Sequence, residues 1–158
     1  MNWCETFSVG IQGIDDQHKK LFELIAKTGS VSFSDDVETL HDEIVRVLVK
    51  LNLYTIYHFE TEERLLALNG FSALEDHKKE HAKFVEKLES LRPEHEEIKS
   101  KETLDEIVNF LQMWIENHIL KSDFKYKDLL ADKIADGTYV EYRKSEPFKF
   151  PEELDIEE

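Results

Sequence analysis

His58-Phe-Glu-Thr-Glu-Glu-Arg-Leu-Leu-Ala-Leu-Asn-Gly-Phe-Ser-Ala-Leu-Glu-Asp-His-Lys-Lys-Glu-His81 is the stretch that decides how this chain folds. His58 and Glu62 are four residues apart, and so are His77 and His81. Residues at that spacing share one face of a helix. Asn69-Gly70 between the pairs is a turn signal. Glu62 stands eight residues before Gly70 and His77 seven after it. An antiparallel helical hairpin therefore brings both pairs to nearly the same height. Three imidazoles and a carboxylate then converge on one spot, as a metal site in a bundle core requires.

Working outward, the apolar pattern predicts four helices. The first is capped by Asp15 or Asp16, runs to about Gly29 and has the stripe Ile14, His18, Leu21, Ile25, Thr28. It follows an irregular arm, residues 1–13, anchored by Trp3, Phe7, Val9 and Ile11, in which Gly10 and Gly13 discourage helix. After a loop at 29–36 with Ser34, Asp35 and Asp36 as cap candidates, a long helix reaches about Leu68. Its stripe is Leu40, Ile44, Val47, Leu51, Tyr54, His58, Glu62, Leu65, the alternating three-and-four spacing of a bundle seam. The third helix starts at a capping box of Ser72 and Glu75, carries Leu74, His77, His81, Phe84, Leu88 and Leu91, and closes at Pro93. Lys99 to Thr103 lead into the fourth, with Leu104, Ile107, Leu111, Trp114 and His118. Its next inward residue is Asp123, followed by Tyr126 and Leu129 or Leu130. A step of five rotates a side chain by about 140° on an ideal α-helix. A widened π turn between His118 and Asp123 is therefore predicted.

The architecture expected is an all-α, up-down-up-down antiparallel four-helix bundle over residues 1–131, with an N-terminal arm and an irregular acidic extension, 132–158. From about Asp132 the periodicity stops, and residues 136–144 alternate only weakly. Composition favours a solvated tail. The alternative is a docking segment for a protein partner, using Tyr139, Tyr142, Phe148 and Phe150.

Five histidines, His18, His58, His77, His81 and His118, fall on the core stripes of four different helices, joined by Glu62 and Asp123. A lone core histidine is ordinarily a hydrogen-bonded core residue. Seven ionisable groups are another matter, since each costs several kcal/mol when buried alone. Their sum exceeds the roughly 5–15 kcal/mol by which a domain is stable. A bound metal offsets that cost because it needs deprotonated donors. His41 and His95 fall off the pattern and read as surface residues.

This donor set exceeds the roughly four ligands of one zinc. It is also wrong for calcium or magnesium, which prefer all-oxygen sites. Imidazole suits iron, copper, nickel and zinc. Two metals sharing both carboxylates fit the count. If one takes three histidines and the other two, the second keeps a vacant position for a small ligand.

The bulk properties limit the alternatives. At 158 residues the chain is one domain with room for a core. A net charge of −15 argues against nucleic acid or an anionic membrane as partner. No run approaches the roughly 20 apolar residues of a membrane span. No signal peptide is evident. With Cys4 as the single cysteine, a reducing, cytoplasmic setting is expected.

At this point the sequence resembles the hemerythrin family, most of all its bacterial members, over about residues 3–130. The resemblance rests on Trp3, Val9-Gly10-Ile11, Ile14-Asp15, Gln17-His18, His58-Phe59, Glu62-Glu63, the His77/His81 pair, Trp114, His118-Ile119 and Asp123. It implies two iron ions per chain with a bridging oxo or hydroxo group, and dioxygen as a reversible ligand of one iron. His77, His81 and His118 would hold the saturated iron, His18 and His58 the open one, and Glu62 and Asp123 would bridge. Phe59, Trp114, Ile115 and Ile119 would form the dioxygen pocket. Departures are modest: Leu66 where Met is frequent, Phe71-Ser72 for Tyr-Pro, and Ile115 for Leu in the pocket.

The expected function is reversible dioxygen binding for storage, delivery or sensing, and not catalysis. A histidine-rich set donates less negative charge than the four-carboxylate sites of oxygen-activating bundles. A dry wall of Phe59, Trp114, Ile115 and Ile119 would restrict proton entry. The alternatives are a di-iron peroxidase or nitric-oxide-handling enzyme, and an oxygen, redox or iron sensor signalling through the tail.

Overall fold

The computed structural model describes residues 2–31, 37–91 and 101–154. Cap candidates Ser34, Asp35 and Asp36, the helix stop at Pro93, His95 and the start of the Lys99 lead-in lie outside the described residues. A short 3-10 turn, Glu5–Phe7, precedes α1 (Gln12–Gly29), α2 (Val37–Leu68), α3 (Leu74–Ser90), α4 (Lys101–Asn117), a π-helical turn His118–Asp123 and α5 (Phe124–Asp136). There is no strand among the described residues. α1 lies against α2 and α4, and α2 against α3. Phe84 stacks on Trp114 at 3.8 Å, joining α3 to α4. Gly29 meets Val108 at one end of the α1–α4 pair, while His18 meets Asp123 further along, so these helices run antiparallel.

The core follows the stripes read from the sequence, although Leu74, Leu91 and Trp114 are half-buried at its edge. On α2 it is Leu48, fully buried, that joins Ile44 and Leu51, while Val47 is half-buried. Three buried threonines are satisfied within their own helices. Thr28, Thr55 and Thr61 each donate a hydroxyl to the carbonyl four residues back, at 3.0, 2.7 and 2.8 Å.

Local cap signals are the readings the structure corrects. α1 begins at Gln12, so Gly13 sits in its first turn and neither Asp15 nor Asp16 caps it. Asp15 instead reaches back to the arm, accepting the Val9 N–H at 2.9 Å and the Ser8 hydroxyl at 2.6 Å. That bond fixes the arm, with Phe7 and Val9 buried beneath it. Ser72 makes no cap bond to α3, whose first turn is held by Leu74 N–H to Phe71 and His77 N–H to Ala73. The cause lies upstream. Gly70, at φ 69°, closes α2 with paired bonds, Phe71 N–H to Leu66 and Gly70 N–H to Ala67. This is a Schellman stop, which sets the turn without help from Ser72. His41 is half-buried and not a free surface residue.

The tail differs most from expectation. α5 continues past Asp132 to Asp136 and ends at Gly137, φ 80°, in a second Schellman stop with Thr138 N–H on the Lys133 carbonyl at 2.9 Å. The chain then turns back along the bundle and is not a solvated tail. Asn69 holds the Val140 main chain through both faces of its amide, at 2.8 and 2.9 Å. Lys144 pairs with Glu60 at 2.6 Å. Phe148 packs on Tyr54 and Tyr57, each at 5.0 Å between ring centres. Tyr139, Tyr142, Phe148 and Phe150 are all half-buried against the core. The four aromatic residues that suggested docking do dock, onto their own bundle.

Candidate metal centre

Three helices and one π turn bring the seven residues singled out above into a single buried cluster. His18 comes from α1, His58 and Glu62 from α2, His77 and His81 from α3, and His118 and Asp123 from the two ends of the π turn. All are at most 5% exposed. The π turn is where expected. Bonding to the fifth residue widens the turn, so His118 and Asp123 return to the same face.

The contacts divide the cluster in two. Glu62 Oε1 lies 2.6 Å from His77 Nε2 and 3.2 Å from His81 Nε2. Its other oxygen, Oε2, lies 3.4 Å from His58 Nε2 and 3.7 Å from His18 Nε2. Asp123 repeats the pattern. Oδ1 is 3.1 Å from both His77 and His118 Nε2, and Oδ2 is 3.2 Å from His18 Nε2. Together the two carboxylates thus turn one oxygen each toward His77, His81 and His118, while the other Glu62 oxygen faces His18 and His58 and the other Asp123 oxygen faces His18.

Neighbouring side chains set which ring nitrogen faces inward. His81 Nδ1–H donates to Glu63 at 2.8 Å, His118 Nδ1–H to Glu80 at 3.1 Å, and His58 Nδ1–H to the Gln17 amide oxygen at 2.7 Å. With those protons committed outward, the Nε2 lone pairs point into the cluster, the tautomer a metal needs. Ser122, on the π turn, also donates to Glu80. Tyr126 donates to Glu62 Oε2 at 3.0 Å and fixes that carboxylate from α5. Phe59 lies flat on His81 at 3.6 Å, and Trp114 flat on His118 at 4.5 Å. Ile115 and Ile119 are buried beside them in sequence, 2% and 0% exposed.

Left to protein atoms alone, the cluster is not satisfied. His81 and His118 face each other Nε2 to Nε2 at 3.0 Å, which two lone pairs tolerate only with a positive charge between them. Both nitrogens of His18, Nε2 of His58 and both oxygens of Asp123 are buried without a hydrogen-bond partner. Their contacts at 3.1–3.4 Å lie off the bonding direction. Orphaned buried donors and acceptors on this scale are costly. A cation removes the cost, and imidazole with carboxylate suits iron. The residues fit the group.

Protonation tells the same story. Burial pulls His18 down, but the carboxylates of Asp123 and Glu62 outweigh it and push it up to about 9. His77, likewise opposed by burial, is raised to about 10 by the same two carboxylates. His58 is lowered to about 4, with burial dominating over Glu62. Burial would raise Glu62 and Asp123, yet the surrounding imidazoles hold both below the usual carboxylate range. Without metal, the cluster keeps its acids ionised and borrows protons to compensate.

Sequence reasoning did not assign roles to Gln17, Glu63, Glu80, Ser122 and Tyr126. Gln17, Glu63 and Glu80 each adjoin a cluster residue in sequence, at His18, Glu62 and His81. That adjacency is the signal available, and it is weak among 35 acidic residues.

Fold and site together define a four-helix bundle built around an internal, histidine-rich candidate metal centre. The Hemerythrin HHE cation binding domain matches residues 9–130. The chain belongs to the hemerythrin family. It is 34% identical to a bacteriohemerythrin of Clostridium acetobutylicum over 126 residues, covering 80% of this chain and 98% of the relative. A myohemerythrin of Riftia pachyptila is 38% identical over 125 residues, covering 79% and 89%. A crystal structure of wild-type hemerythrin superposes with a TM-score of 0.69 at 27% identity, covering 83% of this chain and 98% of that one. Among the described residues no helix is long and apolar enough to cross a membrane.

Proposed function

We propose that this chain is a non-heme di-iron protein that binds dioxygen reversibly, as a cytoplasmic store, carrier or sensor. The observation that carries this reading is the split of each carboxylate between three histidines and two. Such a split gives one metal position five protein donors and the other four. Iron held there would supply the reversible electron exchange that dioxygen binding needs, with the fewer protein donors on the His18/His58 side. In this reading His77, His81 and His118 hold the filled position, His18 and His58 the open one, and Glu62 with Asp123 joins them.

The remaining residues orient and insulate. Glu63 and Glu80 accept ring protons and make His81 and His118 stronger donors. Tyr126 keeps Glu62 from swinging away. Phe59, Trp114, Ile115 and Ile119 form an apolar wall that keeps water and protons from the bound gas. The family's cation binding domain and the donor chemistry support a metal such as iron, and the likeness to hemerythrins supports dioxygen as its ligand.

The test is iron content together with an absorption spectrum, recorded after anaerobic reduction and again in air. The expected result is two irons per chain and a near-ultraviolet and visible band that comes with dioxygen and goes when it is removed. Two irons with immediate irreversible oxidation would favour an enzyme or redox sensor. No iron after reconstitution would overturn the ligand assignment.

A further inference from the structure

A cleft of about 1230 Å³ opens between α1, α2 and the returning tail. Four of its lining residues are lysines: Lys20 and Lys27 of α1, Lys50 of α2 and Lys149 of the tail. In a chain with a net charge of −15, four lysines on one lining are a local concentration of positive charge, offset in part by Glu23 and Asp16 near Tyr54. Glu152 is the acid on the lining. Lys20 and Lys27 share one exposed partner, Glu23, at 3.4 and 3.5 Å. Lys50 and Lys149 make no ion pair among the described residues, and Lys50 rests 5.1 Å over the Phe150 ring. The other wall is aromatic. Tyr54, Tyr57, Phe148 and Phe150 line the cleft with ring centres about 5 Å apart in sequence of contact, at 5.0, 5.0 and 4.8 Å.

We propose that this cleft binds a small planar aromatic anion, of the class of a flavin or nucleotide monophosphate. The lysines take the phosphate and the aromatic wall takes the ring. The volume is above the roughly 300–1,000 Å³ of ordinary small-molecule sites, so a bare inorganic anion would leave most of it empty. Lys50 over the Phe150 ring, with Lys149 on the same lining, is the complement of a molecule that is both charged and flat. The position matters as well. Gln17 lines the cleft and its amide oxygen holds His58 Nδ1–H at 2.7 Å. A ligand seated here therefore lies one hydrogen bond from the two-histidine half of the metal cluster. Binding itself does not depend on the iron reading, and it can be measured with or without metal.

Flavin mononucleotide is the probe, because stacking on tyrosine quenches its fluorescence. It is titrated into the full chain, metal-loaded and metal-free, at low ionic strength. Saturable quenching at micromolar to sub-millimolar concentration is expected. The double variant Lys50→Glu/Lys149→Glu should weaken it about tenfold or more, the loss of roughly 1.4 kcal/mol. Lys149 is exposed and Lys50 half-buried, and an unchanged circular dichroism melt confirms that the variant is folded. Riboflavin, which lacks the phosphate, should bind about tenfold more weakly as well. No saturable quenching at millimolar probe, binding indifferent to the lysines, or riboflavin binding as tightly as the phosphate would each overturn the proposal. So would complete displacement by equimolar inorganic phosphate, which would make the cleft an anion site without aromatic recognition.

Discussion

In the three-histidine half of the cluster, His81 and His118 each give a ring proton to a carboxylate and each lies flat against an aromatic ring. In the two-histidine half, His58 gives its proton to the neutral amide of Gln17, and neither nitrogen of His18 has a hydrogen-bond partner. A carboxylate partner raises the donor strength of an imidazole more than an amide does. Stacking also restricts ring rotation. One half is therefore built to hold a metal tightly in a fixed arrangement, and the other to hold it while leaving something adjustable. An asymmetric centre with one exchangeable position would need that division, and here it would be made by Glu63, Glu80 and Gln17, outside the seven-residue cluster.

The strongest challenge to this picture is to remove a shared donor. His77 Nε2 contacts both carboxylates, at 2.6 and 3.1 Å. His77→Ala should cut iron content by half or more and lower the melting temperature by several degrees. His58→Ala should lose less, since its Nε2 contacts one carboxylate. Metal analysis and a thermal melt of both variants decide the matter. Equal losses would erase the difference between the halves.

The apolar wall comes next. Ile119→Glu places a carboxylate at a fully buried position beside His118. Autoxidation of the loaded protein, followed as decay of its visible band, should speed by about tenfold or more if water enters as the pocket reading requires. An unchanged rate would remove Ile119 from the pocket.

Acidity probes the same asymmetry. In the metal-free chain His18, at about 9, and His77, at about 10, carry protons at pH 7. Metal binds the deprotonated ring, so loading must release those protons. Apparent iron affinity should rise with pH between about 7 and 9, by up to tenfold per unit for each proton released. A competition titration at several pH values, with proton release measured in weak buffer, reads this directly. A flat dependence would contradict the protonated state of the empty cluster.

The smallest effects concern the orienting groups and are the sharpest test of the comparison. Glu80→Gln removes the charge that holds His118 and should weaken loading about tenfold, the lower end for such partners. Gln17→Ala should cost only a few-fold and act mainly on the open half. If Gln17→Ala costs more than Glu80→Gln, the halves have been assigned in the wrong order.

Most of the bundle is legible in the sequence. The ends of α1 and α2 fall at Gly29 and Leu68, and the step of five from His118 to Asp123 is met by a π turn. These features were legible because burial imposes a period, and a departure from the period has to be made up in the backbone. What could not be read depends on distance through space. Ser72 looks like a cap, but Gly70 and Phe71 had already fixed the turn. Asp15 looks like a cap and instead ties down the arm. Glu63 and Glu80 resemble any surface acid until His81 and His118 are seen behind them. The tail carries no period because it crosses the bundle as an irregular pass, with Phe148 finding Tyr54 and Tyr57 on the flank of α2 and Phe150 packing on Phe148.

Asn69 gives that pass an unusual freedom. It is 2% exposed, and it recognises Val140 through main-chain N–H and C=O alone. A grip of this kind does not depend on which side chain it holds. Any residue but proline could occupy position 140 and be held as well. The crossing segment can therefore drift in sequence at that point while keeping its course, so relatives with quite different extensions could share this route if they keep an asparagine at the hairpin apex.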